Sequence, residues 1–179
     1  MTDAANQYGL ALYELAKEEN ITEQILKETA VLQKAFQKEP GFLTLLSAPS
    51  VSKKERCQII DDSFLNKMHP YLLNFMKILT EKGYAKHFVD CCKVYRRQYN
   101  EDMGILPVTA VTAVPLREDL QQKLTEKLSS VTGKRIELTC KLDSSCLGGV
   151  RLDFDGKQVD GTVRRRLEDI RSLLKSTVL

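Results

Sequence analysis

Met103-Gly104-Ile105-Leu106-Pro107-Val108-Thr109-Ala110-Val111-Thr112-Ala113-Val114 is the stretch where the chain changes period. From Leu106 onward the residues alternate and are rich in β-branched side chains, which predicts a strand. Pro107 has no backbone N–H to donate, so it belongs near the start of that strand or at an edge. Before Gly104 the apolar residues recur at three and four positions, the spacing of helices. The expected fold is an all-α six-helix bundle over residues 1–103, followed by a small α+β domain over residues 105–179.

Working back from Gly104, Tyr84, Phe88, Cys91 or Cys92, Tyr95 and Tyr99 form the seam of a sixth helix. Pro70 suits the first turn of a fifth, where a missing N–H costs nothing, and Gly83 suits its end. Ser52-Lys53-Lys54-Glu55 is a capping box, with Cys57, Ile60 and Phe64 on one face behind it. A short helix is expected over 42–46, after Pro40-Gly41. Thr22 is expected to cap a second helix carrying Ile25, Thr29, Leu32 and Phe36. Thr2 or Asp3 caps a first helix reaching about Lys17. Short connections between such helices imply an antiparallel bundle.

Working forward, Leu116, Leu120, Leu124 and Leu128 sit four apart on an amphipathic helix that ends near Gly133. Ile136, Leu138, Cys140 and Leu142 alternate as a second strand, and Val150, Leu152 and Phe154 as a third. Asp155-Gly156 reads as a turn. A final helix carries Val163, Leu167, Ile170 and Leu174.

The chain of 179 residues is 42% hydrophobic, enough for one core or two small ones. No apolar run approaches the roughly 20 residues of a membrane span. The opening MTDAANQYGL lacks the features of a secretory or transit peptide, which predicts a bacterial cytoplasmic protein or an already processed chain. Net charge is +3, with 14 basic and 14 acidic residues before Gly104 and 13 basic and 10 acidic after it. That excess is too thin for a nucleic-acid stripe. Five cysteines, an odd number with one adjacent pair, do not form a disulfide framework.

Motifs of catalysis are missing. There is no phosphate-binding loop, no dinucleotide fingerprint and no zinc-protease pair. His69 and His87 lack triad partners and read as surface residues. Cys91 and Cys92 are adjacent on a helix, about 100° apart, and do not chelate one ion; one of them is expected to pack beside Phe88 and Tyr95. Leu147-Gly148-Gly149-Val150 leads into a strand rather than a helix, so it has no dipole to hold an anion. Close backbone approach or a sharp turn is the plainer use of those glycines. Arg164-Arg165-Arg166 fans around a helix and reads as a solvated face, with an acidic protein partner or RNA as alternatives.

Two helices are more apolar than a surface helix requires. The first has Tyr8, Leu12 and Leu15 on one face, with Leu10 and Tyr13 on others. The fifth has Leu72, Phe75, Met76 and Leu79, widened by Tyr71 and Ile78. A normal stripe spans about 100°. Either these helices are central in the bundle, or they share a groove for an apolar partner helix.

Several segments, in order, resemble the ATP synthase delta (oligomycin-sensitivity-conferring) family. Tyr8-Gly9-Leu10-Ala11-Leu12-Tyr13 resembles its Y-A-x-A-L-F opening. Leu46-Ser47-Ala48-Pro49-Ser50-Val51 resembles L-x-S-P-x-[IV] with one residue more. Asn74-Phe75-Met76-Lys77-Ile78-Leu79 resembles N-F-L-x-L-L, continued by Glu81-Lys82-Gly83. Asp143-Ser144-Ser145-Cys146-Leu147-Gly148-Gly149-Val150 resembles D-x-S-L-[IL]-G-G-[IV]. Asp160-Gly161-Thr162-Val163-Arg164-Arg165-Arg166-Leu167 resembles D-G-S-V-R-x-[RK]-L. Gly9 departs from the family's alanine and is expected to weaken the first helix, by about 1 kcal/mol at most. Tyr84 stands where many members carry arginine, and Cys146 replaces an aliphatic residue.

The resemblance implies a non-catalytic stator subunit of F-type ATP synthase, which holds the catalytic head against rotor torque during proton-driven synthesis. It implies no catalytic residues, no cofactor, no metal and no nucleic-acid partner. The helical domain would bind alpha-subunit N-termini in a groove between helices one and five, through Tyr8, Ala11, Leu12, Leu15, Asn74, Lys77, Ile78 and Glu81. Leu12→Asp is expected to abolish that binding with the fold retained. The second domain would bind the C-terminal ends of the b subunits, through Gly148, Gly149, Val150, Val163 and Leu167. The expected location is the cytoplasmic face of the bacterial cell membrane, reached only through the complex. The competing reading, a small RNA-binding or regulatory protein, rests on Lys134-Arg135 and the triple arginine.

Overall fold

The structure, a computed structural model, describes residues 2–165 and 167. Its chain divides into two compact units, residues 1–99 and 100–179. The division falls inside the last turns of a helix, a few residues before the change of period at Gly104.

The first unit is helical. α1 (Asp3–Glu18) is capped by Thr2, whose side-chain oxygen accepts from the Ala5 N–H. α2 (Thr22–Lys38) buries Ile25, Thr29, Leu32 and Phe36, the expected stripe. Thr22 is not its cap: Ile21 occupies that position and makes no side-chain cap bond. α3 runs over Pro40–Leu45, so Pro40 opens the short helix instead of preceding it. α4 (Lys53–Phe64) starts with both hydrogen bonds of the Ser52–Glu55 capping box. The Ser52 contacts hold the Glu55 carboxyl below its ordinary range.

α5 (Pro70–Glu81) begins at a proline and is capped by His69, whose Nδ1 accepts from the Tyr71 N–H. His69 is therefore a half-buried structural residue; its own N–H donates to Glu28 at 2.7 Å. α5 ends in a Schellman motif. Gly83, at φ +78°, donates to Thr80 O and Tyr84 donates to Leu79 O. That motif excludes Tyr84 from the next helix. A 3-10 turn over Ala85–His87 intervenes, and α6 spans Phe88–Asp102.

The core joins the helices through aromatic rings. Tyr95 is fully buried, meets Tyr13 edge-on at 5.4 Å and donates its hydroxyl to Thr22 O. Phe36 contacts Phe42, Phe64 and Phe88 at 5.3–6.3 Å. Such ring pairs add about 0.5–1.5 kcal/mol each beyond area burial. Arg56 is buried against the 46–49 loop, with Nη1 donating to Leu46 O at 2.9 Å.

α1 reaches α6 through Gly9. A Cβ built there would stand 2.6 Å from Cys91 O and 2.8 Å from Val94 Cβ. The sequence reads Gly9 only as a weak spot in α1. The structure makes it the residue that permits two helices to touch, a gain that a local propensity scale does not contain.

The second unit holds a mixed four-stranded sheet in the order β2-β1-β3-β4. β1 (Ile105–Thr112) and β2 (Arg135–Leu142) are parallel and joined by α7 (Glu118–Thr132), so the unit contains a β-α-β crossover. Pro107 lies in the part of β1 beyond its β3 pairing, where one side of the strand is unpaired. α7 starts after Leu116, and Gly133 ends it in the left-handed conformation. β3 (Val150–Phe154) turns through Asp155 and Gly156, both at positive φ, into β4 (Lys157–Asp160), a strand that the sequence analysis does not anticipate. Of the final helix, Val163, Arg164, Arg165 and Leu167 are helical; Ile170 and Leu174 lie outside the described residues.

Gly9→Ala should gain up to about 1 kcal/mol of helix propensity and lose about 1–3 to overpacking. The expected net result is a lower midpoint in denaturant unfolding. A raised midpoint would contradict the close α1–α6 approach.

Candidate functional site

Two helices and their ends build the candidate surface. On α1, Ala4, Tyr8, Ala11, Leu15 and Glu18 follow one another at spacings of three and four and share a stripe. On α5, Tyr71, Asn74, Ile78 and Glu81 do the same. The Tyr8 ring meets Tyr84, just past the end of α5, at 5.8 Å. At the other end Glu19, which follows α1, lies near Tyr71 in the first turn of α5. Its charge pushes the Tyr71 phenol up. These two contacts set α1 and α5 side by side and antiparallel.

The sequence-derived candidates separate by burial. Tyr8 and Leu15 are half-buried, while Ala11, Asn74 and Glu81 are exposed. Ile78 is 45% exposed, unusual for an isoleucine on a packed helix. Leu12 is only 3% exposed and belongs to the core behind the stripe. A carboxylate at that position would be buried and unpaired, so Leu12→Asp would damage the fold instead of testing the surface. Lys77 turns to α4, pairing with Asp61 at 2.6 Å. Glu81 accepts weakly from the Cys57 thiol at 3.8 Å. The sequence gives no sign of either α4 partner.

In the second unit, Gly148 and Gly149 have an internal task. Gly148 O accepts from Val163 N–H, and Val150 O accepts from Gly161 N–H, both at 3.0 Å. Gly149 has φ +81°, and a Cβ there would stand 2.6 Å from Gly161 O. The two backbone segments cross at near contact, as the plainer reading of these glycines expects. Asp160 fixes the crossing by accepting from Thr162 N–H, and Thr162 Oγ1 accepts from Arg165 N–H at the head of the last helix. The contact with Thr162 holds the Asp160 carboxyl below its usual range. Val150 is half-buried; Val163 and Leu167 are 43% and 55% exposed.

The cysteine pair is buried on α6. Loss of hydration pushes Cys91 up to about 11, and Cys92 further in the same direction. The thiolate needed for chemistry is suppressed in both. Among the described residues no three His, Cys, Asp or Glu side chains gather as a metal site, and no helix is long and apolar enough to cross a membrane.

Half-open apolar and small residues thus lie together along neighbouring α1 and α5, the arrangement of a packing surface rather than of a reaction centre. The family model described as ATP synthase delta (OSCP) subunit matches residues 4–174. The ATP synthase subunit delta of Clostridioides difficile (strain 630) is 29% identical over 175 residues, 97% of each chain. That of Lactobacillus gasseri is 30% identical over 173 residues, 96% of this chain and 94% of the other. A chain of the Toxoplasma gondii mitochondrial ATP synthase hexamer shares the fold, with TM-score 0.77 at 18% identity over 97% of this chain and 98% of that one. The chain belongs to the ATP synthase delta (OSCP) subunit family. It is a structural stator subunit of the membrane-associated F1Fo complex, and not an enzyme by itself. The RNA-binding alternative gains no support.

Two outcomes test this geometry. Iodoacetamide at neutral pH should modify exposed Cys140 quickly and spare Cys91 and Cys92 until the chain unfolds; fast labelling of the pair, read by mass spectrometry, would contradict their burial. Gly149→Ala should lower stability by about 2 kcal/mol or more, because it adds left-handed strain to a backbone clash. An unchanged melting curve for the second unit would refute the crossing.

Proposed function

We propose that the α1–α5 surface receives the N-terminal segment of an alpha subunit, and that the second unit holds the C-terminal ends of the b subunits. The chain then ties the catalytic head to the peripheral stalk at the cytoplasmic face of the membrane and resists co-rotation of the head. What carries the first half of this reading is the exposure of Ile78 beside Tyr8, Ala11 and Leu15 on helices that are otherwise well packed. Small Ala4 and Ala11 leave room for a third helix axis to come close. Burying a few apolar anchors at about 1.5–3 kcal/mol each supports helix-in-groove binding. The second half is supported by family membership and by the exposed Val163 and Leu167 at the start of the last helix.

The test is a peptide copying the alpha-subunit N-terminus, titrated into the full chain by calorimetry. Ile78→Glu should weaken binding at least about tenfold with the circular dichroism unchanged, since Ile78 lies outside the core. Undiminished affinity in that variant would remove the α1–α5 surface from consideration.

A further inference from the structure

The α1–α5 surface is chemically different at its two ends. At one end stand Glu14, Glu18 and Glu19, all exposed in the last turns of α1 and just past it, with Glu19 near Tyr71 in the first turn of α5. At the other stand the rings of Tyr8 and Tyr84 at 5.8 Å, with His87 at 6.1 Å from Tyr84. The cations on these helices do not offset the acids. Lys77 is committed to Asp61 on the α4 side at 2.6 Å. Lys17 lies on another face of α1, 5.9 Å over the Tyr13 ring. Lys82 lines an open pocket with Lys53, Lys54 and Cys57 at the start of α4. Because α1 and α5 are antiparallel, their dipoles oppose, and side chains decide the sign of the field.

We infer that the helix docking here carries lysine or arginine at one end only, the end lying over Glu14, Glu18 and Glu19, and uncharged residues over Tyr8 and Tyr84. The inference rests on the groove reading above and adds the partner's charge and its direction of lie. Apolar anchors alone do not tell a helix from the same helix reversed. An acidic end opposite an aromatic end does, because three carboxylates attract a cation and repel an anion, whereas the rings carry no net charge. The exposed carboxylates act mainly on selection and orientation, and they are screened by salt.

The probes are three synthetic amphipathic helices with one leucine–alanine stripe, ending in two lysines, two glutamines or two glutamates. Each is titrated into the full chain at about 50 mM and about 300 mM salt, a range over which screening rises strongly. The lysine form should bind about five- to tenfold more tightly than the glutamate form at low salt, with the glutamine form between, and the spread should shrink at high salt. In the double variant Glu14→Gln/Glu18→Gln the three should converge while the glutamine form keeps its affinity. Equal binding of all three to the unaltered chain, or an order that survives the double variant, overturns the inference. Ile78→Glu separates the two ideas: if it abolishes binding of three equally bound probes, the groove stands and the charge rule falls. If the probes bind the Ile78→Glu chain undiminished, or none binds the unaltered chain, the groove and the charge rule fall together.

Discussion

The approach of α1 to α6 at Gly9 is the constraint from which the helical unit takes its form. Only a hydrogen atom fits between the α1 backbone and Cys91 O. With Gly9, Ala5, Leu12, Tyr13 and Ala16 committed to the interior, the helical period leaves Ala4, Tyr8, Ala11 and Leu15 at the edge. The surface is thus the geometric remainder of the core. Tyr95 adds directional precision, because its ring is held by Tyr13 and its hydroxyl by a carbonyl at the start of α2. Burial pushes the Tyr95 phenol well up, so it remains a neutral donor under all physiological conditions.

The same device recurs in the second unit with strand and turn in place of two helices. At Gly149 one backbone passes over another at a distance that excludes any side chain. Hydrogen bonds on either side, Gly161 to Val150 and Val163 to Gly148, turn proximity into a fixed joint. A helix that begins at such a joint has its first turn aimed by the sheet. That gives the exposed Val163 a definite position relative to the sheet.

Much of this was readable in the sequence because the signals are local. Ser52 and Glu55, Pro70, Gly83, Gly104 and Gly133 each act on the backbone within a few residues, and the helices start or stop where they stand. The alternation survives in β2 only over Ile136 and Leu138, since Cys140 and Leu142 are exposed, and β3 is half-buried along its whole length. What was hidden is tertiary. Lys157-Gln158-Val159-Asp160 has one apolar residue and becomes a strand only because β3 lies beside it. The clash that forbids alanine at position 9 belongs to α6. Leu12 shares a stretch of helix with Tyr8 and Leu15, and only packing tells that it faces inward while they do not. Lys77 and Glu81 carry no mark of Asp61 and Cys57, residues some twenty positions away.

The parallel pairing of β1 with β2 has a consequence for how the chain is made. Residues 105–112 leave the ribosome before either neighbouring strand exists, since β2 ends at Leu142 and β3 at Phe154. At roughly 5–20 residues per second, β1 waits seconds for its first partner and longer for its second. In that interval Val108, Ala110 and Val111, all buried once the sheet forms, are an open template for wrong pairings. The helical unit, whose residues are already complete by then, has no such wait. Pro107, one unusable donor near the start of β1, shortens the exposed edge during the period when it is most vulnerable.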